Sequence, residues 1–344
     1  MTARPDTRGL TTNNRDSLMI QQHAEESLEN LQTDSNLFHK SLSEILMLRN
    51  SQIQLGNTLG KGGFGEVKSI PLKKIRGSVI ESDIAEDAIV DLAKEAKFLR
   101  ALSFHPYIIK IHSNVGEIGK KGFGIVIDKL QHTLQYLIHT EWKVKHNSLN
   151  KSKFMSRRYV LTPDQQDLQR EQLILLCKIV SAFVFLHEHN VLFRDIKPQN
   201  IGIGFDNVPR VFDFGLAREL KEFEKERENQ YLLTPCCGTR RYQPLEVING
   251  FMYGLPYDVY SFTLMTWECL AMEVPYKEMN LNKHAMALQK NIRPKMKRYW
   301  NKDLRELLEL GWNRDPNKRC TMKEVERRLQ QMFKDLYGNE TDWV

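Results

Sequence analysis

The chain has 344 residues, 41% of them hydrophobic and 27% charged, proportions of a folded globular chain rather than of a disordered, collagen-like or disulfide-stapled one. Fifty Lys and Arg against 43 Asp and Glu leave a net charge of +7, too modest by itself to call for nucleic acid or an anionic membrane. Five cysteines with no CxxC spacing point away from a zinc or secreted disulfide framework and towards a reducing compartment.

The first residues, MTARPDTRGL, lack the apolar core of a secretory signal. The longest apolar stretch, Leu173 to Leu186, carries Lys178 and is too short to cross a bilayer. No membrane span is expected, and the expected address is cytoplasmic or nuclear. Residues 1–50 hold five basic and seven acidic side chains and runs such as TTNN, the composition of a polar, partly disordered tail. Within it Leu28, Leu31, Leu42, Ile45 and Leu46 recur at helical steps, a weak amphipathic pattern.

From Ile53 the texture changes. IQLGNTLGKGGFGEVKSI reads as a strand, a glycine-rich turn and a second strand. A helix is predicted from about Ile84 to Leu102, then strands over Ile108–His112 and Phe123–Ile127. Helices follow near 133–140 and over 173–189, 258–272, 302–312 and 321–336. Strands first and helices afterwards, without βαβ alternation, predict an α+β fold. Residues 143–158 hold six Lys or Arg and no acid, so 141–170 reads as an inserted basic loop, a solvated surface or a docking site for an acidic partner.

Three motifs carry chemistry. Leu59, Gly60, Lys61, Gly62, Gly63, Phe64, Gly65 and Val67 form a turn between strands whose amides can cradle phosphate oxygens. The same glycine spacing in a dinucleotide site must open a helix, and EVKSIPLKKI is strand-like, which argues against a dehydrogenase. FRDIKPQN then supplies Asp195, Lys197 and Asn200, and DFG supplies Asp213, 18 positions after Asp195. Two acids, a cation and an amide oxygen form the inventory of phosphoryl transfer, where a hydroxyl is oriented, a migrating phosphate neutralised and a metal held.

With these motifs the chain resembles the eukaryotic protein kinase family over about 53–335. The resemblance implies a bilobal α+β domain at 51–338, with a small lobe at 51–129, a larger helical lobe at 130–338 and a tail at 339–344. It implies ATP and Mg²⁺, with Mn²⁺ as substitute, and makes Asp195 the base, Lys197 the γ-phosphate ligand, and Asn200 with Asp213 the metal ligands. Lys73 becomes the ATP lysine, with Lys74 the alternative, and Glu95 its ion-pair partner. Ile127 becomes the gatekeeper and Asp128 to Leu130 the adenine-binding hinge. Glu246 should pair with Arg319, and Asp258 should brace the loop before Asp195. Lys197 together with Thr239 implies serine/threonine specificity, and the texture leans towards the tyrosine-kinase-like branch. Protein substrates and ATP are the implied partners, and nucleic acid is not.

One spacing and three positions depart from the pattern. Lys73 follows Gly65 by only eight positions, which predicts second and third strands clipped to a hairpin near Lys68–Ile70, with Pro71 where the family has a small residue roofing the adenine. Gly202 removes an apolar floor under the adenine, and Phe193 stands where the family has histidine. A catalytically weak pseudokinase scaffold is therefore the alternative function. The segment from Asp213 to Glu246 looks too charged to order itself, which predicts a phosphate switch at Thr234, with Tyr231 the second candidate and Arg194 the receiver.

Overall fold

The computed structural model describes residues 46–48, 58–62, 65–71, 76–81, 86–116, 123–150 and 161–338, with side chains from 91 onward except 149 and 150. The chain divides into two compact units, one built from the residues before 105 together with 109–129, the other from 105–108 and the residues from 130 onward. Largely antiparallel sheets and helices together make an α+β fold.

In the first unit a six-stranded sheet has the order β1-β5-β6-β4-β3-β2. Its strands are β1 (Leu46–Leu48), β2 (Thr58–Gly62), β3 (Gly65–Pro71), β4 (Arg76–Glu81), β5 (Ile111–Val115) and β6 (Gly124–Asp128). Leu46, expected in a helical pattern, is instead in a strand running parallel to β5, whose edge would otherwise leave its amides unpaired. The rest of the expected N-terminal helix lies outside the described residues. The predicted strand Ile108–His112 is displaced: β5 begins at Ile111, and Ile108 makes an isolated bridge to Val211 within the second unit.

Strands β2 and β3 pair from Thr58↔Lys68 to Gly62↔Gly65, so the glycine-rich run lies at the tip of a hairpin; Gly63 and Phe64 are outside the described residues. The expected clipping near Lys68–Ile70 does not occur. β3 continues through Pro71, and β4 pairs with it from Glu66↔Glu81 to Pro71↔Arg76, then with β6 from Gly77↔Asp128 to Glu81↔Gly124. Among the described residues the third strand of this hairpin series is RGSVIE. β-Branched Val79 and Ile80 suit a strand paired on both sides, with β3 and with β6. Pro71 sits at the ladder's end, where a missing amide costs least. Lys73 and Lys74 lie outside the described residues.

Helix α1 (Glu86–Leu102) packs on β5 and β6. Leu92, Ala93, Ala96, Leu99 and Leu102 recur at helical spacing and are all buried, as are Ile125, Val126 and Ile127 on β6. Glu95 lies on the same buried face.

The second unit opens with β7 (Leu130–Thr133) and one α-helical turn, Leu134–Tyr136. A π-helical segment, Leu137–Trp142, continues into α2 (Lys143–Asn150). The start of the basic insert is thus helical, not a loop, and Lys145 lies 3.5 Å from Glu171, an acidic partner the sequence did not suggest. Residues 151–160 lie outside the described residues. Helix α3 (Pro163–Glu188) starts ten residues before the expected 173. Thr162 and Gln165 close a reciprocal capping box with Pro163 at the first helical position, a start signal stronger than the sparse apolar pattern that follows it.

Strands β8 (Val191–Leu192), β9 (Ile201–Gly204), β10 (Pro209–Val211) and β11 (Arg218–Glu219) follow, then the hairpin β12 (Lys225–Arg227) and β13 (Gln230–Tyr231). The chain continues through α4 (Leu245–Ile248), α5 (Pro256–Ala271), α6 (Leu281–Gln289), α7 (Lys302–Gly311) and α8 (Met322–Tyr337). Helix α5 is buried all round from Tyr257 to Ala271, the signature of a central helix. α3 packs against α8 and α5, and α5 against α7.

The expected pair of Arg319 and Glu246 is present and two-pronged, with Nη1–Oε1 2.6 Å and Nη2–Oε2 3.0 Å. Arg319 also donates to the carbonyls of Asn313 and Pro256 and lies 5.0 Å from the Tyr260 ring centre. Both partners are buried, so removing one strands the other without solvent. Arg319→Ala should destabilise the fold by about 3–5 kcal/mol, read as a shifted denaturant midpoint, while an exposed control such as Lys302→Ala should change it by less than about 0.5 kcal/mol.

Candidate functional site

Asp258 at the start of α5 has no solvent exposure, and its oxygens accept the amides of Phe193 (2.7 Å) and Arg194 (2.9 Å). His187 Nε2 stands 3.2 Å from the same carboxylate. The expected brace is therefore in place. Arg194 has φ +67°, a left-handed conformation that turns the chain sharply before Asp195. Phe193, fully buried, packs edge-on against Phe183 (5.5 Å) and Phe214 (5.2 Å), so an apolar contact occupies the place where a histidine would bond.

Asp195 is nearly buried and bound on every side. Oδ2 accepts from Lys197 Nζ (2.6 Å) and Asn200 Nδ2 (2.9 Å), and Oδ1 accepts from the Thr239 amide (2.8 Å). Lys197 Nζ also donates to Thr239 Oγ1 at 2.8 Å. Asn200, at the end of a 3₁₀ turn that begins at Pro198, spends its amide nitrogen on Asp195, which leaves the amide oxygen as the atom it can offer a cation. Asp213 is half-buried in the turn after β10, with φ +68°. The structure thus brings Asp195, Lys197, Asn200 and Thr239 into one hydrogen-bonded group.

Nearby, β9 pairs with β7, and a Cβ placed on Gly202 would come within 2.2 Å of Leu130 Cδ1. The leucine side chain fills the volume the glycine vacates. In the first unit, Asp128 at the end of β6 is held by His112 Nε2 (2.8 Å) and the Lys110 amide (3.4 Å). Leu59, Gly60, Lys61, Gly62, Gly65 and Val67 lie on the β2–β3 hairpin.

A protein kinase domain model matches residues 53–329. The chain belongs to the protein kinase family. The family uses ATP and a divalent metal, and no helix among the described residues is long and apolar enough to cross a membrane. The chain is 26% identical to the serine/threonine-protein kinase STY17 of Arabidopsis thaliana over 84% of its own length and 46% of that protein's. It is 32% identical to the Arabidopsis serine/threonine-protein kinase STY46 over 47% of its length and 26% of that protein's. It also matches the tyrosine-protein kinase receptor torso of Bombyx mori at 21% identity over 85% of its length and 39% of that protein's. The chain spans less than half the length of these curated relatives.

The segment after Asp213 is more ordered than its charge suggested. β11 pairs with β8, β12 with β13, and Tyr231 exchanges backbone hydrogen bonds with Tyr253. Leu192, Leu220, Tyr231, Val247, Tyr253 and Tyr257 form one buried cluster, with Leu233 and Leu255 against it. Tyr231 is thus buried within a ladder, a poor site for phosphorylation, whereas Thr234 is exposed. Arg194 Nε already donates to the Leu216 carbonyl at 2.6 Å.

Two groups escaped the sequence reading. Gln243 Nε2 lies 2.8–3.0 Å from three successive carbonyls, those of Cys236, Cys237 and Gly238. Glu268, buried in α5, accepts from the Tyr242 hydroxyl (2.6 Å) and faces His139 Nε2 (2.7 Å). Burial first, then the Glu268 charge, pushes the Tyr242 phenol well above its ordinary range, which keeps it a donor. Neither group has a local sequence signal, because its members are brought together only by tertiary packing.

His284 on α6 is buried 4.6 Å from the Tyr276 ring. Burial, then the charges of Arg240, Arg241 and Arg293, push its pKa from 6.5 down to about 4. Between those values the unfolded chain takes up a proton the folded one refuses, so stability should fall as pH drops through that window. His284→Gln should flatten that part of the stability–pH curve in denaturant titrations; an unchanged slope would contradict this assignment.

Proposed function

We propose that the chain is a protein serine/threonine kinase, moving the γ-phosphate of ATP to Ser or Thr hydroxyls of protein substrates. The observation that carries this is the Asp195 carboxylate held jointly by Lys197, Asn200 and the Thr239 amide. In this reading Asp195 orients the attacking hydroxyl and takes its proton, and Lys197 offsets charge on the migrating phosphate. The Asn200 amide oxygen and the Asp213 carboxylate hold the metal. They form a hard, oxygen-only set that suits Mg²⁺, with Mn²⁺ as substitute, and Mg²⁺ ordinarily takes one or two protein carboxylates and completes its shell with phosphate and water. Held there, such a cation would supply positive charge to offset the charge that develops during transfer.

The hairpin residues Leu59 to Gly65 and Val67 cover the nucleotide. Asp128 and Leu130 meet the adenine, where the Leu130 side chain supplies the apolar surface that Gly202 lacks. Lys73, or Lys74 beside it, positions ATP with Glu95 as counter-ion. The Lys197–Thr239 bond favours serine/threonine chemistry, within the tyrosine-kinase-like branch. The basic stretch at 143–158 is read as a docking surface for an acidic partner, and the chain as cytoplasmic or nuclear. A second reading, a weak scaffold, is favoured by one observation: β4, the strand that follows the glycine-rich hairpin in the sheet, contains no lysine.

Purified full chain with labelled ATP, Mg²⁺ and a basic protein substrate separates the two. Asp195→Asn and Asp213→Ala should each lower transfer by about two orders of magnitude or more with folding intact. Transfer within a few-fold of the unaltered protein in both variants would overturn the reading. Lys73→Ala should abolish transfer and Lys74→Ala should not; loss only with Lys74 moves the role by one residue.

A further inference from the structure

The adjacent pair Cys236–Cys237 has no part in the chemistry above, yet its backbone is tied to the residues that do. Cys236 is exposed, with φ +54° and its sulfur 3.7 Å from the Ile248 carbonyl; Cys237 is half-buried. The carbonyls of Cys236, Cys237 and Gly238 share the Gln243 amide. The Tyr257 hydroxyl lies 2.7 Å from both the Cys237 and the Arg194 carbonyls. Gly238, at φ +94°, is packed so closely on the Arg194 carbonyl that a Cβ would lie 2.1 Å from it. The next residue, Thr239, bonds Asp195 and Lys197.

The other three cysteines are different. Burial pushes the Cys177 thiol up to about 12, the Cys269 thiol far above its ordinary range, and the Cys320 thiol upward, so each is held as an unreactive thiol.

We propose that Cys236 and Cys237 form a peroxide-sensitive dithiol that closes to a disulfide and switches off the site beside it. The Cys236 thiolate attacks hydrogen peroxide; an S–O bond forms, the O–O bond breaks, and the departing hydroxide takes a proton to become water. The Cys237 sulfur then attacks the sulfenic sulfur, an S–S bond forms, the S–O bond breaks, and a second water leaves. Two thiols are oxidised and one peroxide is reduced to two waters. Consecutive Cα atoms lie about 3.8 Å apart, below the roughly 4.4–6.8 Å of relaxed disulfides, so closure must twist the connecting peptide. That twist turns the Cys236 and Cys237 carbonyls away from Gln243 and Tyr257 and draws Thr239 off Asp195. Strain of this kind also makes the bond easy to reduce, as a reversible switch requires.

The consequence for activity rests on the proposed role of Asp195; the thiol chemistry does not. Full chain treated with hydrogen peroxide should yield a peptide spanning 236–237 that is lighter by two hydrogen atoms and restored by dithiothreitol. Phosphoryl transfer should fall by about tenfold or more in step and recover on reduction, and Cys236→Ser and Cys237→Ser should each transfer phosphate but resist peroxide. Unmodified thiols, oxidation of Cys236 alone with Cys237 left as thiol, or disulfide formation without loss of transfer would each overturn the proposal. A chain that never transfers phosphate yet forms the disulfide, with faster amide exchange at Thr239, would support the switch and count against the kinase reading instead.

Discussion

A carboxylate with no solvent exposure must find donors or cost several kcal/mol, and Asp258 finds them in the consecutive amides of Phe193 and Arg194. Hydrogen bonds to a charged group contribute about 1.5–3 kcal/mol each. A left-handed non-glycine residue costs of order 1–3 kcal/mol, so these bonds suffice to hold Arg194 at φ +67°. With that turn fixed, Asp195 leaves the chain towards Lys197 and Asn200. Burial, then the charges of Asp258 and Asp195, push the Tyr257 phenol far above its ordinary range, so one residue before Asp258 a permanent donor serves the Arg194 and Cys237 carbonyls.

Two segments distant in sequence therefore meet on the first turn of α5. The loop after β8 arrives through Asp258, and the segment before Thr239 arrives through Tyr257. Asp195 is where they join, since its Oδ1 takes an amide from the second segment and its Oδ2 takes donors from the first. Gln243 fixes the second segment from its other side, and Ser261, one turn further along α5, donates to the Tyr242 carbonyl at 2.8 Å. The all-round burial of α5 makes it a rigid post for both.

Much of this site was legible in the sequence because it is built from contiguous motifs. FRDIKPQN, DFG and GTRRY each place their polar residues through local turns, and the pairing of Glu246 with Arg319 followed from the same resemblance. Local propensity misled where tertiary pairing decides. RGSVIE took the strand position because a neighbouring strand was waiting for it, and Leu46 to Leu48 extended along the edge of β5. The early start of α3 is written in the sequence as the cap Thr162-Pro163-Asp164-Gln165, whereas the dense apolar periodicity begins only near Leu173. The order of the segment after Asp213 was hidden because its buried contacts come from Tyr253, Tyr257 and Val247, supplied by later parts of the chain.

The claim that Asp258 holds the site is tested most directly by amide hydrogen exchange in Asp258→Asn, a change that keeps volume and removes charge. Exchange at Phe193 and Arg194 should accelerate by about tenfold or more while the amides of α3 and α8 keep their protection. Unchanged protection at Phe193 and Arg194, in a variant that remains folded by the same measure, would contradict the account.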